Sequence, residues 1–188
     1  TVQKEGITGL HTAVRKTQRP DDTDLFSQFP LRENEMQENY LISIKGSQRV
    51  DGEEGSVELT TFGSYVKRGL SRYIVYKEYA SDTVPVTRTS ILKIDGNNRL
   101  TLMRKGGDST RLILENGKRH LCQYDTGYGC LTVGIFTSQL DSNLDDKGGS
   151  LKVRYTLDIN SVLSSMNELS ITVKEAKNRN VKNSTPGN

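Results

Sequence analysis

An all-β fold follows from two properties of the middle of this chain. Apolar residues recur at every second position, and turn-forming pairs punctuate those runs at short intervals. Leu151-Lys152-Val153-Arg154-Tyr155-Thr156-Leu157-Asp158-Ile159 alternates without a fault, Leu169-Ser170-Ile171-Thr172-Val173-Lys174 repeats the pattern, and Leu131, Val133 and Ile135 extend it. Such alternation puts one face of a strand in a core and the other in water. No stretch between residues 40 and 175 carries helical periodicity. The prediction is a single antiparallel up-and-down β-barrel of about 8–10 strands, with a two-sheet sandwich as the alternative, because a meander of that size either closes or splits.

Taking each run between turns places strands near 40–50, 57–67, 70–79, 85–94, 98–105, 109–115, 118–125, 130–138, 150–160 and 167–175. The punctuation is Asp51-Gly52, Asp95-Gly96-Asn97-Asn98, Gly106-Gly107-Asp108, Asn116-Gly117 and Gly148-Gly149. Asn116-Gly117 is the strongest hairpin signal, since both residues tolerate the positive φ of a tight turn. Consecutive strands are expected to be antiparallel neighbours. On the ninth, Leu151, Val153, Tyr155, Leu157 and Ile159 are expected to be buried, and Lys152, Arg154 and Asp158 exposed.

Outside the barrel of residues 40–175, residues 1–39 read as a polar N-terminal extension, partly disordered, and residues 176–188 as a disordered C-terminal tail. Asp21-Asp22-Thr23-Asp24 before Leu25-Phe26-Ser27-Gln28-Phe29-Pro30 resembles a cap ahead of a short helical turn that Pro30 ends. Leu25, Phe26 and Phe29 are the concentrated apolar group of the extension. They suit a barrel plug, a contact with a second copy in a homodimer, or a disordered segment; a barrel face is the other candidate dimer contact.

Composition excludes several classes. The chain carries 26 Lys and Arg against 23 Asp and Glu, a net charge of +3. Residues 1–39 hold five basic and seven acidic residues, and the tail after Glu175 adds Lys177, Arg179 and Lys182. The middle is nearly balanced, with both signs alternating along the strands, so it lacks the basic stripe of a nucleic-acid binder. No run of ~20 apolar residues exists to span a membrane, and no secretory leader is recognisable. Cys122 and Cys130 form neither a disulfide framework nor a metal spacing, and a cytoplasmic location is expected.

Catalytic and metal chemistry find little support. His120 and Cys122 share a strand face, but neighbours two apart lie ~6–7 Å from each other, too far for direct thiol–imidazole hydrogen bonding. Asp141, Asp145 and Asp146 lack the ligand spacing of a calcium loop and read as a solvated acidic loop. No phosphate-cradling motif is present. The sequence therefore predicts a protein that is not an enzyme and holds no cofactor or metal.

What remains is a set of polar residues with core parity. Leu100, Leu102 and Arg104 share one face, as do Ile74, Tyr76 and Glu78, while Tyr155 sits between Val153 and Leu157. An inward arginine is costly unless paired or hydrated, so Arg104 calls for a carboxylate partner, Glu78, or for a wet cavity. The other placement is at the barrel rim in water.

Several runs together resemble the YwiB-like family of small bacterial proteins of unknown function. They are Thr61-Phe62-Gly63-Ser64-Tyr65, Tyr73-Ile74-Val75-Tyr76-Lys77-Glu78, Leu102-Met103-Arg104-Lys105-Gly106 and Tyr124-Asp125-Thr126-Gly127-Tyr128-Gly129. Gly149-Ser150-Leu151 leading to Tyr155, and Asn167-Glu168-Leu169-Ser170-Ile171-Thr172-Val173, complete the set in family order. The resemblance implies a calycin-like (lipocalin-like) barrel in the cytoplasm and supplies no reaction. Barrels of that kind hold small ligands inside. The functional expectation is a non-enzymatic binder of a small anionic or amphipathic ligand, with Arg104, Glu78, Tyr76 and Tyr155 at the site. The alternatives are an interaction or scaffold barrel with a packed interior, and an RNA-binding barrel.

Overall fold

A computed structural model of the chain describes residues 37–79, 87–105, 110–125 and 130–176. The expectations for residues 1–36 and for the tail beyond residue 176, including Leu25, Phe26 and Phe29, lie outside the described residues. So does the Gly106-Gly107-Asp108 turn.

The described residues form ten antiparallel strands: β1 (Tyr40–Val50), β2 (Glu53–Arg68), β3 (Ser71–Tyr79), β4 (Thr87–Asp95), β5 (Arg99–Lys105), β6 (Thr110–Glu115), β7 (Arg119–Asp125), β8 (Cys130–Asp145), β9 (Gly148–Ile159) and β10 (Val162–Glu175). They make one sheet in the order β6-β5-β4-β3-β2-β1-β10-β9-β8-β7, which curls into a nearly closed up-and-down barrel. The first and last strands pair through ten residues, from Tyr40 opposite Glu175 to Arg49 opposite Met166. The barrel is thus joined where β1 and β10 pair and has its seam between β6 and β7.

That seam corrects the expectation for Asn116-Gly117. β6 and β7 are joined by this turn but form no ladder. Only Gly117 has a positive φ, 73°, and the Lys118 N–H donates to the Glu115 carbonyl at 2.9 Å. Positive φ at the second central residue alone is the type II pattern, whose twist splays the flanking strands. The turn docks on β8 instead, with the Gly117 N–H donating to the Thr137 carbonyl at 2.9 Å. Tight hairpins with positive φ at both central residues occur at Asp51-Gly52 (50° and 88°) and at Asn160-Ser161 (51° and 65°).

Two other boundaries move. β8 runs on to Asp145 because a register shift between Thr137 and Gln139 resets the alternation and keeps Leu140 and Leu144 inward. Asp141 and Asp145 are therefore strand residues rather than part of an acidic loop. Gly148-Gly149 opens β9, and the turn before it is Asp146-Lys147.

The core fills one half of the barrel. Ile42, Ile74, Leu92, Ile94, Leu100, Leu114, Ile135, Leu151, Val153, Ile171 and Val173 are all essentially inaccessible. Along β9 the inward residues lose burial in order: Leu151 and Val153 are buried, whereas Tyr155, Leu157 and Ile159 are half-exposed. Lys152 and Asp158 are half-buried rather than exposed, and Arg154 is exposed. The expected contrast holds from Leu151 to Arg154; from Tyr155 to Ile159 both parities are partly buried, so this half of β9 does not follow the expectation.

Candidate functional site

The two ends of the barrel are built differently. At the closed end the Tyr65 hydroxyl donates to the Asp145 backbone carbonyl at 2.6 Å, joining β2 to β8 across the barrel. Tyr40 meets the Tyr65 ring edge-on, with centroids 5.4 Å apart. Lys67 and Arg72 reach the Asp146 carboxylate at 2.9 and 3.3 Å. The hydrogen bond from Lys67 is the largest cause holding that carboxyl below its usual range.

At the open end the inward positions become polar. Tyr76, Ser90, Arg104 and Thr110 face one another in register across β3, β4, β5 and β6. Glu78, one inward step further along β3, accepts a hydrogen bond from the Ser90 hydroxyl at 2.7 Å. Its carboxylate lies 3.8 Å from Arg104 Nε, an ion pair whose side chains are 20% and 24% exposed. Burial is the chief cause that pushes the Tyr76 phenol up to about 12, with Glu78 adding to the rise and Arg104 opposing it. Tyr155 enters from β9 on another wall; burial raises its phenol as well, and Arg104 partly offsets that rise. Both phenols are therefore neutral hydrogen-bond donors at ordinary pH.

All four residues singled out from the sequence, Arg104, Glu78, Tyr76 and Tyr155, meet at this end. Arg104 is neither fully interior nor at a wet rim. It spans the boundary, with its Nε buried and without a hydrogen-bond partner among the described residues. Thr137, fully buried opposite Tyr155, has an unpartnered Oγ1 too. Around these groups the walls carry the partly buried leucines Leu59, Leu112, Leu157 and Leu169, packed against the core. Gly63 lets β3 and the core lie close: a Cβ there would collide with the Val75 carbonyl and Ile42 Cδ1 and crowd Tyr76 Cβ at 3.2 Å.

Sequence reasoning missed Ser90 and Thr137. Both share parity with apolar neighbours, Ser90 with Leu92 and Ile94 and Thr137 with Val133 and Ile135, and that parity was the available signal. His120 and Cys122 face inward by register on β7, and His120 Nε2 lies 3.0 Å from Glu115 Oε2 across the seam. Among the described residues, no group of three or more His, Cys, Asp or Glu is arranged to hold a metal ion, and no helix is long and apolar enough to cross a membrane.

No curated protein matches the chain. The crystal structure of the ywiB protein from Bacillus subtilis is similar over 77% of this chain and 97% of that one, with a TM-score of 0.64 at 20% identity. That likeness concerns the fold. The family model for a domain of unknown function, DUF1934, matches residues 42–171, a span that contains both barrel ends and all four site residues. By that match the chain belongs to the DUF1934 family.

Proposed function

We propose that this protein is a non-enzymatic, calycin-like carrier that holds one small amphipathic anion in the open end of its barrel. The observation that carries the reading is the buried Nε of Arg104, which makes no hydrogen bond among the described residues and has the Glu78 carboxylate only at ion-pair distance, 3.8 Å, beside a partly exposed interior. An arginine desolvated this far, with one carboxylate held at ion-pair distance, retains planar donors for a second anion. Glu78, itself fixed by Ser90, orients the guanidinium. Tyr76 and Tyr155 offer neutral hydroxyl donors and apolar ring faces, and Leu112, Leu157 and Leu169 suit an apolar tail. The packed half of the barrel limits how deep a ligand reaches. A free Cys122 thiol agrees with a cytoplasmic setting.

The test is titration of the full chain with 1-anilinonaphthalene-8-sulfonate, an anionic amphipathic probe, alongside native mass spectrometry of freshly purified protein for retained anions. Saturable 1:1 binding is expected, weakened about 10- to 100-fold in Arg104→Leu, the span of one charge-assisted hydrogen bond. Equal probe affinity in both proteins, or no binding by a folded wild type, sinks the proposal in favour of an interaction barrel.

A further inference from the structure

The convex face of a barrel wall ordinarily meets water, yet part of this one is buried. Ser64, Val75, Ile91 and Met103 stand directly opposite one another across β2, β3, β4 and β5. Their parity is outward, opposite to Tyr65, Ile74, Leu92 and Leu102. Even so they are only 2%, 5%, 6% and 1% exposed. Tyr73 and Thr101, also outward, are equally buried. Tyr73, Val75, Ile91 and Met103 form a cluster separate from the main core. The described strands make a single sheet, so none of them lies over this face.

The described chain begins on that same face. The Gln37 carbonyl accepts from the Ser64 hydroxyl at 3.0 Å, at the β2 end of the buried row. Glu38 then pairs with Lys77, on the outer face of β3, at 3.5 Å. Traced backwards from Tyr40, the chain thus leaves the β1 edge and crosses β2 towards β3.

We infer that the segment preceding Gln37, residues 25–36, is the occupant, strapped across the outer face of β3, β4 and β5. Three strand spacings separate β2 from β5, about 14 Å, which about four or five extended residues cover. Met36 then falls over the β2–β3 side, and Leu31 and Phe29 reach the Ile91–Met103 side. Charge agrees: residues 21–38 hold six acidic residues and one basic residue, Arg32, whereas Lys77, Lys93 and Arg111 border the row on the sheet. The Glu38–Lys77 pair is the first of these contacts. The strap covers what would otherwise be an exposed apolar patch, a feature that soluble sheets avoid.

The methionines supply the readout. Met103 is 1% exposed and Met166 is 47% exposed, so peroxide should oxidise Met166 readily and Met103 slowly in the full chain. Phe29→Asp with Leu31→Asp, both outside the strands, should speed Met103 oxidation at least about tenfold with Met166 unchanged, as local opening of the strap requires. Melting curves confirm that both proteins stay folded at the assay temperature. In parallel, p-benzoylphenylalanine placed at position 31 should crosslink to peptides of β3–β5 within one chain. Unaltered Met103 protection in the double variant overturns the inference. So does a crosslink that joins two copies or maps away from β3–β5.

Discussion

A buried tyrosine stands at each end of this barrel, and the two serve different ends. Tyr65 and Tyr76 both have phenols pushed up to about 12, in each case chiefly by burial. Tyr65 donates to a fixed acceptor, the Asp145 backbone carbonyl, and its neighbours Lys67 and Arg72 close on Asp146. Tyr76 instead shares its surroundings with the side chains of Ser90, Glu78 and Arg104, which are linked to one another by a hydrogen bond and an ion pair. One end spends its polar groups on holding strands together; the other leaves Arg104 Nε and Thr137 Oγ1 buried without a hydrogen bond among the described residues. The same meander supports both because its inward rows are apolar at one level and polar at the next.

The largest expected effect separates the levels on one strand. Leu151→Ala and Leu157→Ala both truncate an inward leucine of β9, but Leu151 is 1% exposed and Leu157 is half-exposed. Leu151→Ala should cost about 2–5 kcal/mol and Leu157→Ala about 1 kcal/mol, measured by urea denaturation. Equal losses would mean that the open end is packed as tightly as the floor.

Hydroxyl deletions sharpen the contrast at smaller scale. Tyr65→Phe should lose about 1 kcal/mol, the net worth of its bond to Asp145. Thr137→Val should be neutral or slightly stabilising, because its buried Oγ1 has no hydrogen-bond partner to lose among the described residues. A comparable loss in Thr137→Val would reveal a bound water serving that hydroxyl.

The smallest effect concerns the seam. The Glu115 carboxyl is held below its ordinary value of 4.5, first by the Lys118 hydrogen bond and also by His120. A depressed folded-state pKa stabilises above the unfolded value and is lost as pH falls through the folded one. The melting temperature should therefore drop on acidification below about pH 4.5, and Glu115→Gln should flatten part of that acid limb. An unchanged limb would show that the seam is held by the turn alone.

Much of this was legible in the residues. Faultless alternation gives the inward face of β9 and β10, and parity alone paired Arg104 with Glu78 on the two strands that flank β4. Periodicity, however, gives direction and not depth, so the fall in burial from Val153 to Ile159 was invisible. The β8 bulge resets the period at Ser138, which hid Leu140 and Leu144 as strand residues. Asn116-Gly117 was misjudged because turn composition admits both the I′ and the II geometries, and contacts with β8 select between them. The buried outer face did leave a trace: Tyr73-Ile74-Val75-Tyr76 is apolar on both parities, the mark of a strand covered on two sides.

The β1–β10 ladder also sets an order in time. Its partners are about 120–135 positions apart by their register, so no other step in assembly waits longer for its second half to be made. During synthesis the edge of β1 that β10 will occupy has no partner until the last strand has emerged from the ribosome. Pairings so distant in sequence slow folding, and a waiting edge is a template for mispairing with another chain. Lys45 and Arg49, pointing outward along that edge beside Glu58 and Glu54, place charge where a nascent chain most needs to discourage strangers.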